Sequence, residues 1–176
     1  MQLSRPAITV RPATLNDAHA IARIHVDSWK VAYVGLVDQD VLDGLTVESR
    51  ERGWAKWLDP ANDERNAEGH SALVACVDGE PQAWATFGAG RDEHFAAEGE
   101  LAGFYASPDY WGLGLGYTLI GAVKDALRDA GFARGYLWVL DGNERAAGFY
   151  ERNGWTYDGT QKPFDKYIEN RHVTEF

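Results

Sequence analysis

Apolar residues along this chain switch repeatedly between a period of two and a period near 3.6, and the switches mark out its elements. Ile8, Thr9 and Val10 read as a short strand ended by Pro12. Thr14, three residues before Asp17, resembles a helix N-cap with an acidic first turn, so a helix begins at about Leu15. Ala18, Ile21, Ala22, Ile24 and Ser28 recur at helical spacing and form its buried face, while Asp17, Arg23 and Asp27 suit the solvent side. His25, Trp29 and Tyr33 are each four apart and share one stripe if the helix runs that far. Residues 37–45 read as a short helix, and residues 47–58 as another whose Trp54, Trp57 and Leu58 supply an apolar edge. Residues 60–69 are polar, carry proline and glycine, and form a surface loop.

Two runs, residues 72–77 and 81–87, flank Asp78-Gly79, a strong hairpin signal even with Pro81 at the edge. A charged loop over residues 88–99, containing Arg91, Asp92, Glu93, His94 and Glu98, leads into residues 100–106, a short apolar strand stopped by Ser107, Pro108 and Asp109. Further on, Leu119, Ile120, Val123, Ala126 and Leu127 share a helical face, with Gly131 placed at the C-terminal end. Residues 136–140 follow as a strand apolar on both faces, as in the middle of a sheet. Asn143 then caps a helix with Ala146, Ala147, Phe149 and Tyr150 inward and Asn153-Gly154 at its end; residues 155–160 and 166–174 are two last strands. Strands on both sides of a central strand–helix–strand crossover predict an α/β fold with a mixed sheet, in one domain over residues 1–176.

Between strand 100–106 and the next helix lies Gly112-Leu113-Gly114-Leu115-Gly116. Alternate residues without Cβ let the backbone turn sharply and aim its N–H groups at one point, and the helix start adds the positive end of its dipole. Together they make a cradle for a diphosphate. The dinucleotide fingerprint would need glycine at Tyr117 or Leu119, and a P-loop would need G-K-[ST], which is missing. An ordinary strand-to-helix loop with glycines for close packing is the plainer alternative.

Composition narrows the partners. Asp and Glu number 27 against 17 Lys and Arg, a net charge of −10 that opposes binding to nucleic acid and to anionic lipid, although solubility alone also accounts for it. No run of about 18 apolar residues is present, and the N-terminal apolar run is too short for a signal peptide, which makes the cytoplasm the expected location. Cys76, the one cysteine, sits in an apolar strand pattern and reads as core. The five histidines lack ligand spacing and no G-x-S-x-G elbow occurs, so neither a metal site nor a nucleophilic triad is expected.

Trp111-Gly112-Leu113-Gly114-Leu115-Gly116 resembles the R/Q-x-x-G-x-G/A loop of the GNAT family of N-acetyltransferases in all but its first residue, where Trp111 replaces a polar side chain. One helix and one strand later, residues 143–155 are similar to the family signature N-x-x-A-x-x-F-Y-x-x-x-G-F/W. Two motifs in register imply the GNAT fold, a mostly antiparallel mixed sheet of about seven strands flanked by helices. They also imply acetyl-CoA as co-substrate and a small-molecule amine as acceptor; a homodimer is left open. Matched position by position, Phe104, Tyr105 and Ala106 would offer backbone groups to the pantetheine and acetyl carbonyl. Trp111, Gly112, Leu113, Gly114, Leu115, Gly116 and Tyr117 would hold the diphosphate, and Asn143 would touch the pantetheine arm. His25, Trp29 and Tyr33 would shape the acceptor pocket.

The same resemblance puts Tyr150 beside the thioester sulfur. A phenol of pKa about 10 stays protonated at neutral pH and can donate to a departing thiolate. The base is less sharply marked: Glu100, at the start of the central strand, is the first candidate by resemblance, with Glu98 and Asp141 behind it, because the place where some relatives carry a glutamate is Trp138 here. Peptide or protein N-acetylation, and a CoA-binding sensor without catalysis, are the competing readings.

Overall fold

The computed structural model describes residues 6–62, 64 and 68–176. The reading of the N-terminal run falls partly, and that of the 60–69 loop partly, on residues outside this set. Strand β1 (Ile8–Pro12) leads through a short 3-10 turn into α1 (Ala18–Ala32), α2 (Gln39–Asp43) and α3 (Val47–Leu58). The β2 (Ser71–Val77) and β3 (Glu80–Ala89) hairpin follows, then β4 (Gly99–Ala106), α4 (Leu115–Asp129), β5 (Arg134–Leu140), α5 (Glu144–Arg152) and a final hairpin of β6 (Thr156–Phe164) and β7 (Tyr167–Glu175). The strands form one sheet in the order β1-β2-β3-β4-β5-β7-β6. Every neighbouring pair is antiparallel except β4 and β5. Among the described residues, no helix is long and apolar enough to cross a membrane.

Alternation along the strands sends side chains to two faces, and a different set of helices covers each. On one face Ala83, Ala85, Phe87, Leu101, Leu137 and Val139 pack on Leu115, Leu119, Ile120, Val123 and Leu127 of α4. On the other, Val74, Cys76 and Trp84 pack on Ala18, Ile21 and Ile24 of α1 and Leu58 of α3. Each fully buried Leu or Ile contributes about 1.5–3 kcal/mol relative to exposure, which ties both helical layers to the sheet.

Asp17 corrects the assignment of charged residues to the solvent side of α1: it is only 5% exposed. Arg11 grips it with two 2.8 Å hydrogen bonds, and the Thr14 amide donates a third at 2.8 Å. The Arg11 hydrogen bonds hold this carboxyl below the usual range, against the upward pull of burial. Of the last two strands, β6 is longer than the pattern suggests and begins after Trp155, while β7 has the expected nine residues displaced by one position.

Two irregularities prepare the centre of the sheet. Thr86 pairs with Gly103 whereas Phe87 pairs with Leu101, so Ala102 is an extra residue that bulges from β4. Gly103 is required beside it, because a Cβ there would lie 2.7 Å from the Trp84 ring and 2.9 Å from the Thr86 hydroxyl. The parallel ladder of β4 and β5 then consists of Gly99 with Gly135 and Glu100 with Tyr136. Beyond these pairs the two strands part, and the β4 edge from Ala102 onward faces a gap.

Candidate active site

The gap opens into a cleft of about 470 Å³, walled by the outer half of β4, the end of β5, the start of α4 and one side of α5. The glycine loop forms its rim. Gly114 serves as N-cap of α4 at φ +87°, a left-handed conformation in which any other residue would be strained. Among the described residues, none of the amides from Gly112 to Tyr117 donates to a backbone carbonyl, so they remain available to an anion. Trp111 turns its indole inward: Nε1 donates to the Ala106 carbonyl at 2.9 Å, and the Arg145 guanidinium lies 3.3 Å from its ring centroid.

Tyr150 lines the same cleft from α5 and is 9% exposed. Its ring meets Phe149 and Phe104 edge-on, with centroids 5.4 and 6.1 Å away. Its hydroxyl has no hydrogen-bond partner among the described residues. Burial, helped by the neighbouring Tyr33, pushes this phenol well above its ordinary value, so it holds its proton throughout the neutral range. Asn143 also faces the cleft; its side chain accepts from the Ala146 amide at 3.3 Å as the N-cap of α5, which leaves its amide N–H donors unspent. Phe104 stacks on Phe149 at 5.5 Å and carries the β4 backbone, through Tyr105 and Ala106, along the gap.

The stripe of His25, Trp29 and Tyr33 lies on the opposite sheet face, as an aromatic wall against Tyr105. His25 stacks on Tyr105 at 5.9 Å, Trp29 meets Tyr33 at 4.8 Å, and the Tyr33 and Tyr105 hydroxyls are 3.1 Å apart. Tyr33 borders the main cleft, whereas His25 borders a second cavity of about 290 Å³ with Trp54, Trp57, Arg50 and Arg91. Ala102 lines both, so the two cavities adjoin at the bulge. Trp54 Nε1 donates to His25 Nδ1 at 3.3 Å, which places the proton of the neutral ring on Nε2. Burial, with the Arg50 charge added, lowers this imidazole to about 4, so it stays neutral and weakly basic at pH 7.

Glu100 lies apart from both cavities and is 3% exposed. The Arg91 guanidinium takes both its oxygens, at 3.0 and 2.9 Å, and the Arg91 amide adds a bond at 3.0 Å. Burial pulls this carboxyl upward, but the Arg91 hydrogen bonds and charge outweigh it and the net displacement is downward. A carboxylate held in this way is a poor proton acceptor, which speaks against the base assigned from resemblance. Glu98 is likewise committed, to Arg171, and Asp141 accepts from Asn170 at 2.9 Å.

Because the folded-state value of Glu100 lies below its unfolded one, its contribution to stability is present above about pH 4.3 and lost as pH falls through the depressed value. Glu100→Gln should therefore cost about 1–3 kcal/mol at neutral pH. The expected deficit shrinks on acidification, which urea unfolding of both proteins at neutral and at acid pH will measure.

Sequence reasoning missed three charged residues in and around the candidate site. Asp92 accepts from the Tyr136 hydroxyl and Trp138 Nε1, both at 3.0 Å, and from Lys162 Nζ at 3.1 Å. The clue was available: an aromatic strand with a phenol and an indole needs polar partners once buried. Glu169, half-buried on β7, pairs in register with Leu140 of the cleft and with Lys162, and its carboxylate makes no hydrogen bond or ion pair with the described residues. Burial first, then the charges of Asp92 and Glu100, raise its carboxyl. Arg145 occupies a variable place in the second motif, so no pattern flagged it.

The family model described as Acetyltransferase (GNAT) family matches residues 31–155. The chain is 30% identical over 140 residues to the uncharacterized N-acetyltransferase YuaI of Bacillus subtilis, covering 77% of this chain and 73% of that protein. It is 26% identical over 159 residues to the probable N-acetyltransferase Rv2775 of Mycobacterium tuberculosis, covering 89% and 86%. Among solved structures, PaiA N-acetyltransferase from Thermoplasma acidophilum in complex with coenzyme A superposes with a TM-score of 0.77 over 97% of this chain and 99% of that one; at 18% identity the likeness is one of fold.

Proposed function

The chain belongs to the GNAT family of acetyl-CoA-dependent N-acetyltransferases, and on that premise we propose that it acetylates a primary amine of a small molecule, in the cytoplasm, by direct transfer within a ternary complex. The observation that carries this reading is the convergence at the parted strands. The unpaired amides of Gly112 to Tyr117, the free Tyr150 hydroxyl and the exposed β4 edge share one cleft, and a second, aromatic cavity adjoins it at Ala102.

The cleft suits acetyl-CoA on chemical grounds: anion-binding amides at one end, apolar rings of Phe104 and Phe149 between, and a protonated phenol at the other. Bound there, acetyl-CoA supplies a thioester carbonyl open to attack and a thiolate leaving group. The Gly112–Tyr117 amides hold its diphosphate, and the backbone of Phe104, Tyr105 and Ala106 aligns the pantetheine and polarises the carbonyl. Asn143 binds the arm through its free amide N–H groups. Tyr150 donates its proton to the sulfur. Neutral His25 lines the cavity in which the acceptor sits and Tyr33 lines the main cleft, while Trp29 borders neither cavity and braces the other two rings. Glu100 fixes Arg91 beside the acceptor cavity, and the proton shed by the amine passes to water, with Glu169, a raised carboxylate that itself borders neither cavity, as its acceptor beyond. Holding both reactants in line removes part of the entropic barrier.

The test has two stages. Acetyl-CoA should raise the melting temperature, by about 2.7 kcal/mol of added stability at one hundred times its Kd. Free-thiol release across a panel of small amines, peptides and proteins should then be fastest with a small amine. Fastest release with peptides would hand the protein to chain acetylation, and binding without release for any amine would make it a sensor.

A further inference from the structure

The first position of the glycine loop bears Trp111, which has no charge to offer a phosphate. Its surroundings supply one. Trp111 is fixed by the 2.9 Å bond from Nε1 to the Ala106 carbonyl, and the Arg145 guanidinium stacks on the locked ring 3.3 Å from its centroid. Arg145 and Trp111 line the cleft together with Gly112, Gly114 and Gly116.

Arg145 is an exposed residue of α5. It lies in the first turn of α5, where the helix dipole disfavours a cation. Its N–H donors engage no hydrogen bond or ion pair among the described residues. Arg152, from the last turn of the same helix, borders the same cleft with a charge of the same sign. Although Arg145 is largely exposed, the water it loses against the cleft wall, and then the Arg152 charge, lower its guanidinium. A guanidinium braced on one face by an aromatic ring and left with open in-plane donors is arranged for bidentate contact with phosphate oxygens.

We propose that Arg145, held flat against Trp111, is the cationic contact for the coenzyme's diphosphate and takes the part played by the polar first residue of similar loops. The tryptophan is then a platform for a charge delivered from another helix. This inference rests on the coenzyme-binding reading of the cleft and deepens it.

Arg145→Met keeps the aliphatic stem and removes the donors. Calorimetric titration of the wild type and this variant with coenzyme A, 3′-dephospho-coenzyme A and pantetheine separates the phosphates. Loss of charge-assisted hydrogen bonds corresponds to a Kd about 10–100-fold weaker. The expected result is that loss with both diphosphate-bearing ligands, no change with pantetheine, and an unchanged melting temperature without ligand. Trp111→Ala, which frees the guanidinium, should give a smaller loss of the same pattern. An effect on coenzyme A but not on its dephospho form would move the contact to the ribose phosphate and overturn the assignment, as would equal affinity of the variant and wild type for all three. If the wild type itself discriminates against none of them, or binds none, it is the coenzyme reading that fails.

Discussion

Tyr150→Phe should reduce kcat by about 10²–10⁴-fold while leaving KM for acetyl-CoA and the melting temperature nearly unchanged. The ring that packs on Phe104 and Phe149 is retained, and only a hydroxyl without a partner among the described residues is lost, so no buried donor or acceptor is orphaned. The effect therefore falls on the transition state, where the phenol is proposed to stabilise the departing sulfur. Its pH signature is equally definite. Burial raises the phenol above the ordinary value of about 10, so its protonated form persists further into the alkaline range than that of an exposed tyrosine. Wild-type kcat should hold level across neutral and mildly alkaline pH, and the variant should be lower by the same factor at each value. Thiol-release kinetics over that range decide the matter: unchanged turnover in the variant removes Tyr150 as the acid.

Trp155→Ala should destabilise the protein by about 3–5 kcal/mol, the range for emptying a large aromatic site. Trp155 is 0% exposed, its amide donates to the Tyr150 carbonyl at 3.0 Å, and its ring meets Phe176 edge-on at 6.4 Å. The indole thus anchors the exit of the helix that carries the proposed acid. Trp155→Phe should cost much less, because indole Nε1 has no hydrogen-bond partner among the described residues and the smaller ring forfeits packing alone. Urea unfolding of both variants, with equal slopes and displaced midpoints, is the expected observation. A Phe variant as unstable as the Ala variant would mean that the indole nitrogen contributes through a contact absent from this arrangement.

Local chemistry explains which elements could be read from residues alone. Helix α3 spans Val47–Leu58, as expected, because Thr46 caps it and Trp54, Trp57 and Leu58 mark one edge. Asp78-Gly79 dictated a hairpin through the turn itself. Non-local features were hidden. Asp17 looked like a solvent residue since nothing in its neighbourhood announces that Arg11, on the preceding strand, will neutralise it. The last hairpin is polar because β6 is a largely exposed edge strand, so alternation fades where no second face is buried. At the site, the glycine loop and the 143–155 motif were legible as local patterns. The pairing of Arg91 with Glu100, the partners of Asp92 and the stacking of Arg145 on Trp111 depend on which loops fold over which strand ends, and such meetings have no periodic signature.

The seam between β4 and β5 divides the sheet into two panels, β1 to β4 and β5 with the terminal hairpin, joined edge to edge at Gly99–Gly135 and Glu100–Tyr136. Past that joint β4 stays paired with β3, but on its β5 side its backbone donors and acceptors meet no strand among the described residues. A donor molecule whose arm carries amide groups would do there what a missing strand does elsewhere, fastening the panels along their open length. Loading the reagent and finishing the architecture would then be one event, and the rigidity needed for chemistry would arrive together with the group to be transferred.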